Sequence, residues 1–547
     1  MKCFLTLFAV ATNQSPAYPQ IPDETPGTLR CQGGPPLRGV LPLIALAVTP
    51  CIAFAQGLSE VWAGYAHDAR HTGTSTIASQ SLHSIHWQTP VDQNPPGGGS
   101  GPLFVHYGSP VITAANTIIV PLGNNGNGFQ LNAFNGATGA ALYTLTTDYT
   151  LPSHDWTPPY GPAIALGTRL FYPGAGGTLY YRDLPNSPTG PNGQSGATGQ
   201  FAFYGIANYL SHKALFNNAI QISTPLTADR SGNIYFGFTV TGANPPMGLS
   251  GGIARVSFTG VGTWASAVSL TNDHNANQIA LNCAPALSVD NSIVYIATSN
   301  GAEFGTGYLA SMNATNLSPI AHVALNDPRG IGLATVSTDS SASPMVGPDG
   351  DVYYGVLEFA CCSSHNDRGW LLHFNSALSQ IKTPGSFGWD DTASVVPSSA
   401  VPSYSGSSSY LLLTKYNNYV GVGNGNGANR VAILDPTATM TDEYPGPTYP
   451  AATVMQEVIT VLGVTPNGSA PSVREWCINT AAIDPNTKSA IVNSEDGTVY
   501  RWNFVTNTLS QSLNLTTGRG EAYTPTVIGP DGTVYAVNDA ILFAVGN

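Results

Sequence analysis

Apolar and polar residues along this chain alternate in short runs, and one arrangement of these runs returns eight times. Most copies begin with a small residue and a proline before an apolar run, followed by a turn, a Tyr-rich run and a Gly-led run. Short runs between turn residues predict β-strands, and several strands per copy at a long, uneven period are typical of a β-propeller. The copies begin at Ser109, Gly161, Thr224, Ala284, Ser343, Val396, Thr480 and Thr524.

Tight turns inside the copies support this interpretation. The fifth copy carries Pro348-Asp349-Gly350 and the eighth carries Pro530-Asp531-Gly532, each between runs rich in Val, Tyr and Thr. Proline presets one backbone angle of such a turn and glycine accepts a positive one, while the flanking residue types pack well on pleated sheets. Each copy is therefore predicted to fold as one blade, which must stack on its neighbours to bury its faces.

The two ends of the chain predict how the ring closes. The last copy offers only three strands, at 526–528, 533–537 and 541–545, whereas earlier copies have a fourth. The run from Ser84 to Val91, just before the first copy, can supply the missing outer strand and remove an exposed sheet edge. We therefore predict an all-β, eight-bladed β-propeller closed by an N-terminal strand. Seven blades is the alternative, because the seventh copy is a poor match.

The N-terminal region has the features of a secretory leader. Leu37-Arg38-Gly39 precedes an apolar run at 40–52, and Ala53-Phe54-Ala55 resembles a cleavage site. The run is short and is broken by Pro42 and Pro50, so stable membrane insertion is not expected. We predict a leader and extension at residues 1–55, a single propeller domain at 56–547, and a secreted or periplasmic location.

Composition narrows the set of partners. Only 9% of the residues are charged and the formal net charge is −13, so nucleic acid is not an expected partner. The 60 glycines and 42 prolines suit a turn-dense all-β chain. A small-molecule ligand or an exported protein is the expected partner, and the sequence carries no indication of the oligomeric state.

The copies resemble the pyrroloquinoline-quinone (PQQ) repeat of the quinoprotein alcohol dehydrogenase-like superfamily. The best local match, at residues 131–143, contains Ala133-Phe134-Asn135 and Thr138-Gly139, close to that family's Ala-aromatic-Asp-x-x-Thr-Gly blade ending. The resemblance extends over about residues 58–547. It implies a propeller fold, and for the dehydrogenases of the superfamily it implies PQQ and Ca²⁺ as cofactors, although propellers without a quinone use the same repeat.

Four cysteines remain after the predicted cleavage: Cys283, Cys361, Cys362 and Cys477. An even number in an oxidising compartment predicts two disulfides, and three connectivities are possible. The favoured interpretation pairs Cys283 and Cys477 with one each of the adjacent cysteines, which leaves no free buried thiol. The resemblance implies another pairing, because PQQ alcohol dehydrogenases have a vicinal disulfide against the quinone. There the pair lies early in the mature chain, whereas Cys361-Cys362 lies in the fifth copy.

The polar residues that could form a site fall mostly on one rim of the predicted ring. Segments that enter the first strand of a blade, and loops between the second and third strands, share that rim. The catalytic candidates are Asp390, Asp391, Glu475 and His154. The cofactor-binding candidates are Cys361, Cys362, Trp389, Trp156 and Arg474. The metal candidates are Asp155, Glu358, Asn417 and Glu521, and Arg474 and Arg519 could neutralise the carboxylates in place of a metal.

These residues leave four functional classes open. The first is an exported propeller that binds a small ligand, with a metal, at the polar face of its channel. The second, implied by the resemblance, is a PQQ- and Ca²⁺-dependent dehydrogenase, in which Trp389 or Trp156 would stack on the quinone. The third is a Ca²⁺-assisted hydrolase such as a lactonase, and the fourth is a scaffold without catalysis. The sequence therefore leaves open whether the protein is an enzyme.

Overall fold

The computed structural model describes residues 62–95, 103, 105–126, 128–152, 160–186, 196–242, 244–518 and 522–547. Within these ranges, eight antiparallel sheets form an eight-bladed β-propeller, which confirms the predicted fold class and the predicted number of blades. The leader predicted at residues 1–55 lies outside the described residues.

The strands are described in chain order, blade by blade. The outer strand of the last blade comes first, as β1 (Ser84–Pro90), and blade 1 follows with β2 (Val111–Ile112), β3 (Thr117–Gly123), β4 (Phe129–Asn135) and β5 (Ala141–Thr146). Blade 2 contains β6 (Ala163–Ala165), β7 (Arg169–Pro173), β8 (Thr178–Asp183) and β9 (Thr198–Ala202). Blade 3 contains β10 (Ile220–Ile222), β11 (Thr227–Ala228), β12 (Ile234–Val240), β13 (Gly252–Val256) and β14 (Gly262–Ser266). Blade 4 contains β15 (Gln278–Ile279), β16 (Ala286–Leu287), β17 (Ile293–Ser299), then the short β18 (Phe304–Gly305), β19 (Tyr308–Asn313) and β20 (Pro319–Ala324).

The second half of the ring repeats the pattern. A short β21 (Val336–Ser337) pairs with β18 ahead of blade 5, which contains β22 (Met345–Val346), β23 (Val352–Val356), β24 (Trp370–Phe374) and β25 (Ile381–Gly385). Blade 6 contains β26 (Ser394–Pro397), β27 (Tyr410–Tyr416), β28 (Arg430–Thr441) and β29 (Thr453–Leu462). Blade 7 contains β30 (Ala482–Asp484), β31 (Ser489–Asn493), β32 (Thr498–Asn503) and β33 (Thr508–Asn514). Blade 8 contains β34 (Val527–Ile528), β35 (Val534–Asn538) and β36 (Ile541–Gly546).

Helices in the described residues are few and short. They are α1 (Ile206–Ser211), α2 (Lys213–Ala219) and α3 (Ala267–Thr271), with 3-10 turns at Ala175–Gly177, Pro246–Gly248 and Ser398–Ala400. Within the described part of the chain, no helix is long and apolar enough to cross a membrane.

The ring closes as the sequence predicts. Strand β1 pairs antiparallel with β36, with Ser84 opposite Gly546 and Pro90 opposite Ile541. The sheet order of blade 8 is therefore β1-β36-β35-β34, so the first strand of the described chain is the outer strand of the last blade. This pairing joins the two ends of the chain and covers an edge of β36.

The recurring tyrosine in the second strand of several blades explains part of the repeat. The Tyr235 hydroxyl donates to the Ala314 carbonyl oxygen of blade 4 at 2.8 Å, and the Tyr295 hydroxyl donates to the Ser376 carbonyl oxygen of blade 5 at 2.7 Å. Tyr353 contacts the Tyr410 hydroxyl of blade 6 at 2.7 Å. Each ring is buried between neighbouring sheets while its hydroxyl finds a partner in the next blade, which is the arrangement that a buried tyrosine requires.

Residues 62–80 form a feature that the sequence pattern did not predict, and we call them the channel segment. Its backbone hydrogen-bonds to the first strand of blade after blade, and so it lies inside the ring. The hydrogen-bonded pairs are Trp62–Ile112, Ala63–Ile164, Ala69–Leu287, Arg70–Val346, Thr72–Val395, Gly73–Ile483, Ser75–Ile483 and Gln80–Gly532. The channel segment therefore satisfies the backbone groups at the inner edges of the sheets, which would otherwise have needed water or another partner.

Candidate functional site

One rim of the ring collects the segments that precede the first strand of each blade. Because neighbouring strands are antiparallel, the loop between the second and third strands of a blade lies at the same edge. His106 of blade 1, Asp390 of blade 6, Glu475 of blade 7 and Tyr523 of blade 8 all come from such entering segments. Lys415, close to the end of β27, reaches the same place, so the site draws on four blades.

The centre of the site is a buried pair of opposite charges. The Nζ atom of Lys415 lies 3.9 Å from Oδ2 of Asp390, and the two side chains are 0% and 1% exposed. Nε2 of His106 lies 3.4 Å from the same carboxylate oxygen. The Tyr523 ring lies 4.2 Å from Lys415 Nζ and 4.0 Å from the His106 ring, so an aromatic face forms one side of the site.

A hydrogen-bond network that includes Ser341, Asn479 and Tyr65 fixes the Asp390 carboxylate. Its Oδ1 accepts from both the backbone nitrogen and the hydroxyl of Ser341, each at 2.5 Å. Ser341 is in turn held by Asn479, whose Nδ2 donates to the Ser341 hydroxyl at 2.6 Å. The Tyr65 hydroxyl of the channel segment donates to the Ser341 carbonyl oxygen at 3.0 Å and also lies close to Asn479 Oδ1. Asp390 is thus fixed through one oxygen, while Oδ2 faces Lys415.

Burial sets the protonation of the groups around this pair. It lowers the pKa of His106 to about 4, with a further decrease from Lys415 and an opposing increase from Asp390. Burial raises the pKa of Asp391 to about 8, against the opposing effects of Lys415 and of the Thr414 hydroxyl that donates to it. Burial and nearby Glu495 raise the pKa of Glu475 to about 7, against the effects of Lys415 and Arg474. At neutral pH His106 is therefore neutral and Asp391 mostly protonated.

The adjacent cysteines lie on the loop between β23 and β24, on the same rim. Cys361 and Cys362 form a vicinal disulfide, and both are only partly buried. The Asp367 carboxylate lies beside them, and burial, Glu358 and Glu475 together raise its pKa to about 8. Glu358 is fully buried and organises this loop, because its oxygens accept from the backbone nitrogens of His365, Asp367 and Gly369 at 3.0–3.1 Å.

The favoured disulfide prediction, in which Cys283 and Cys477 each paired with one of the adjacent cysteines, is wrong. Cys361 and Cys362 pair with each other, and Cys283 and Cys477 are buried thiols. Cys283 packs in the core of blade 4, where its Sγ accepts from the Ala297 backbone nitrogen at 3.3 Å and burial raises its pKa to about 12. Its burial in this core is the reason that it does not form a disulfide with the partly buried cysteines of the rim loop.

Several predicted site residues have other partners in the structure. Asn417 pairs with the backbone of Trp476, donating to its carbonyl oxygen and accepting from its nitrogen, both at 3.1 Å. The Arg474 side chain is 48% exposed and lies 3.6 Å from Glu495. Trp389 is partly buried against the core between blades 5 and 6, directly before Asp390. The predicted site residues His154, Asp155, Trp156 and Glu521, and the alternative neutralising residue Arg519, lie outside the described residues.

Two of the predicted calcium ligands, Glu358 and Asn417, lie in the described residues, and their side chains are not arranged to bind one calcium ion together. Glu358 uses both of its oxygens on backbone nitrogens, and Asn417 uses its amide on Trp476. Lys415 already places a positive charge beside Asp390. Over the described residues, the one group of three or more His, Cys, Asp or Glu side chains close enough to share an ion is Cys361, Cys362 and Asp367. The metal roles of Glu358, Asn417, Asp155 and Glu521 therefore stay predictions.

Three members of the central site, His106, Lys415 and Tyr523, were not among the candidate site residues predicted from the sequence. Lys415 lies near the end of the second strand of its blade, next to the predicted rim, but its role as the partner of Asp390 was not predicted. Tyr523 lies two residues after Glu521, and its sequence context does not indicate a role in a site. The signal that could have identified Lys415 is its isolation, because a single lysine follows the apolar run Leu411–Leu413 in a chain with only 18 lysines and arginines.

No family model matches the chain, and no curated protein matches it. Among solved structures, it is similar to a europium-containing methanol dehydrogenase, with 10% identity over 87% of this chain and 89% of that one, at a TM-score of 0.51. It also matches a quinohemoprotein alcohol dehydrogenase from Pseudomonas putida HK5, with 11% identity over 89% and 76% of the two chains, at a TM-score of 0.48. The likeness to the methanol dehydrogenase concerns the fold alone. At that level the fold implied by the predicted resemblance is confirmed: the chain is an eight-bladed β-propeller.

Proposed function

We propose that this protein is an exported propeller that binds a small hydroxylated ligand at the channel rim, between Asp390 and Lys415. The observation that carries the proposal is that Asp390 Oδ2 and Lys415 Nζ are both buried without a hydrogen-bond partner, although they lie only 3.9 Å apart. Buried polar atoms of native proteins are nearly always hydrogen-bonded, so two such atoms at the rim of a channel suggest an occupant.

The chemistry of the pair indicates the class of ligand. Lys415 Nζ can donate to a ligand oxygen, while Asp390 Oδ2 can accept from a hydroxyl group. One hydroxyl can satisfy both at once, and a neighbouring hydroxyl or carbonyl oxygen can take further donors. The aromatic face of Tyr523 next to the pair suits the carbon skeleton of a small alcohol, polyol or sugar.

Lys415 takes the place that a metal ion had in the prediction from sequence. It places a positive charge 3.9 Å from the buried Asp390 carboxylate, so ligand binding there needs no cation. If the site is catalytic, Asp390 is the group in position to accept the proton of a bound hydroxyl, and Lys415 is in position to stabilise the oxygen that loses it.

Calorimetry with the chain from residue 56 onward tests the proposal. The probes are methanol, glycerol, glucose and gluconate, which share a hydroxyl group and differ in size and charge. We expect at least one of them to bind, and Asp390→Asn to weaken that binding by tenfold or more. The matched control is Glu443→Gln, an exposed carboxylate outside the site, which should leave the affinity unchanged. Absence of binding by all four probes, or equal binding by Asp390→Asn, would overturn the proposal.

Calorimetry also distinguishes this proposal from the calcium-dependent alternatives. A calcium site at the rim, whether in a dehydrogenase or a hydrolase, requires Ca²⁺ binding that the Asp390→Ala/Asp391→Ala double variant loses. We expect no Ca²⁺ binding at these two residues, because Asp391 is mostly protonated and Asp390 is paired with Lys415.

A PQQ-dependent dehydrogenase is the second candidate, and the vicinal disulfide on the same rim favours it. The solved structure with the TM-score of 0.51 is named as a methanol dehydrogenase, which is consistent with this candidate but supports only the fold. When bound, the quinone would supply the two-electron acceptor for alcohol oxidation. Absorbance of the protein after incubation with PQQ and removal of free quinone tests it. Retained quinone in the parent chain, and none in the Cys361→Ser/Cys362→Ser variant, would favour the dehydrogenase over simple ligand binding.

A further inference from the structure

A second group of reactive atoms lies on the rim, away from the Asp390–Lys415 pair. The two sulfurs of Cys361 and Cys362 and a carboxylate oxygen of Asp367 all lie within 4.8 Å of one another. In the disulfide the sulfurs are bonded to each other and offer weak ligands at most. As thiolates, they would join the carboxylate as three anionic ligands around one point, each within reach of an ion with bonds of about 2 Å.

The loop that carries these three residues is held on both sides of the cysteines. Before them, the backbone nitrogen of Phe359 donates to Asp327 Oδ2 at 3.0 Å. After them, the Ser364 carbonyl oxygen accepts from Arg329 at 2.7 Å, and Arg329 is itself paired with Asp327. The Asp327–Arg329 pair therefore spans the base of the cysteine turn.

Glu358 fixes the remainder of the same loop. It holds the backbone nitrogens of His365, Asp367 and Gly369, and so it fixes the chain on either side of the carboxylate. None of these contacts involves the disulfide. The framework that brings the three side chains together should therefore persist when the disulfide is reduced.

Access and hydrogen bonding also suit a bound ion. A cleft of about 520 Å³ ends at Cys361, and its other walls are Phe304, Thr306, Leu333, Thr335, Phe359 and Ala360. Oδ1 of Asp367 is buried and has no hydrogen-bond partner. The Asp367 carboxylate beside the two sulfurs therefore has one buried oxygen without a donor, which a cation could satisfy.

We propose that reduction converts this loop into a zinc site formed by Cys361, Cys362 and Asp367, with a fourth position open to the cleft. A thiol or phosphine reductant supplies two electrons and is itself oxidised, to a disulfide or to a phosphine oxide. The sulfur–sulfur bond breaks, and two protons from water or from the reductant complete the two thiols. Binding of Zn²⁺ then releases both thiol protons and forms two zinc–sulfur bonds and one zinc–oxygen bond. A disulfide oxidant that accepts two electrons from the two thiolates, and is itself reduced to two thiols, would re-form the sulfur–sulfur bond and release the ion. Zinc occupancy would therefore depend on the thiol–disulfide balance around the protein.

Calorimetric titration with Zn²⁺ tests the site in the chain from residue 56 onward. The oxidised protein should bind no Zn²⁺ at this loop. Protein treated with a phosphine, and then freed of it under nitrogen, should bind one equivalent. Asp367→Asn should weaken binding by about tenfold or more, and Cys361→Ser/Cys362→Ser should abolish it. Glu303→Gln changes an exposed carboxylate next to the same cleft and should have no effect.

Two results would overturn the inference. One is equal Zn²⁺ binding by the reduced parent and by the double serine variant, which would place the ion elsewhere. The other is an Asp367→Asn variant that binds as tightly as the parent. A near-ultraviolet titration with Cd²⁺, which absorbs when bound by thiolates, gives an independent count of cysteine ligands in the same samples. The expected count is two.

Discussion

Lys415 Nζ and Asp390 Oδ2 face each other at 3.9 Å in a place where neither side chain is more than 1% exposed. Removing two charges from water is costly, and the attraction between them repays that cost only if both are present. The pair therefore makes the stability of blade 6 and the binding properties of the rim depend on the same two residues.

Removing one charge of this pair should lower the free energy of unfolding more than removing both charges. We expect Lys415→Met to lower the free energy of unfolding by about 3 kcal/mol or more, because it leaves a buried carboxylate without its partner. The double variant Lys415→Met/Asp390→Asn should recover a large part of that loss, as measured by denaturant unfolding. It should not recover ligand binding. If the single and double variants were equally stable, the two charges would not be coupled in the folded protein.

The raised pKa values on the rim predict that stability falls as pH rises. Asp391 has a pKa of about 8 in the folded chain and 3.8 as the reference for the unfolded one. Between these values the folded state holds a proton that the unfolded state has lost. The contribution of Asp391 to the free energy of unfolding is therefore fully present below about pH 4 and is lost as pH rises through about 8. Glu475, with a pKa of about 7, acts in the same direction over a narrower range.

Unfolding free energies measured from pH 5 to pH 8 check this prediction. Each such group contributes a slope of at most about 1.4 kcal/mol per pH unit, and Asp391→Asn should remove one such contribution. Asp290→Asn is the matched control, because the Asp290 pKa is lowered to about 2 by the hydroxyls of Ser288 and Ser292, so it does not titrate in this range. A slope that is unchanged in Asp391→Asn would contradict the raised pKa.

Much of the architecture is predictable from the sequence because its causes are local. The turn at Pro348–Gly350 and the alternation around Tyr353 can be recognised within a few residues, and they recur often enough to count the blades. The closing strand is predictable for a similar reason, since the last copy lacks one strand and the run at 84–91 has no other use. Even the poor seventh copy forms a four-stranded blade, β30 to β33, and its apolar residues pack with those of blade 6 in one core cluster.

The site is less predictable because its contacts join distant parts of the chain. The channel segment makes only one or two backbone hydrogen bonds with most blades, so Trp62 to Gln80 show no strand pattern. The burial of Cys283 and Cys477 could not be predicted from their positions in the sequence, and this is why the disulfide prediction failed. The rim location of Asp390 and Asp391 is predictable, because they precede the first strand of a blade. The pairing of Lys415 with Asp390 is not predictable, because it depends on how the two segments pack in the folded chain.

Counting thiols tests the pairing of the cysteines. In the chain from residue 56 onward, two thiols should react after unfolding without a reductant, and four after reduction. In the folded protein Cys283 and Cys477 should react slowly, because both are buried. Detection of no thiol in the unfolded, unreduced chain would mean that all four cysteines form disulfides, contrary to the structure.

Tyr65 provides a test of whether the channel segment supports the site. Tyr65→Phe removes a hydroxyl that contacts Ser341, Thr392 and Asn479, and we expect a loss of about 1–3 kcal/mol of unfolding free energy. Because Ser341 holds Asp390, the affinity for the hydroxylated probe should fall as well. Tyr308→Phe is the control, since it loses a hydrogen bond to Asp273 at the edge of blade 4. A Tyr65→Phe variant with unchanged affinity would separate the channel segment from the site.

The closing strand has a consequence for how the chain acquires its structure during synthesis. Ser84 lies opposite Gly546, so the pairing of this early segment cannot be complete before Gly546 has been synthesised. The hydrogen bonds of the channel segment are delayed in the same way, because this segment is synthesised before the blades with which it pairs. Contacts between such distant residues form slowly. A ribosome-bound chain that stops before β36 should therefore remain sensitive to protease at both of its ends, and a few more residues of synthesis should protect them together.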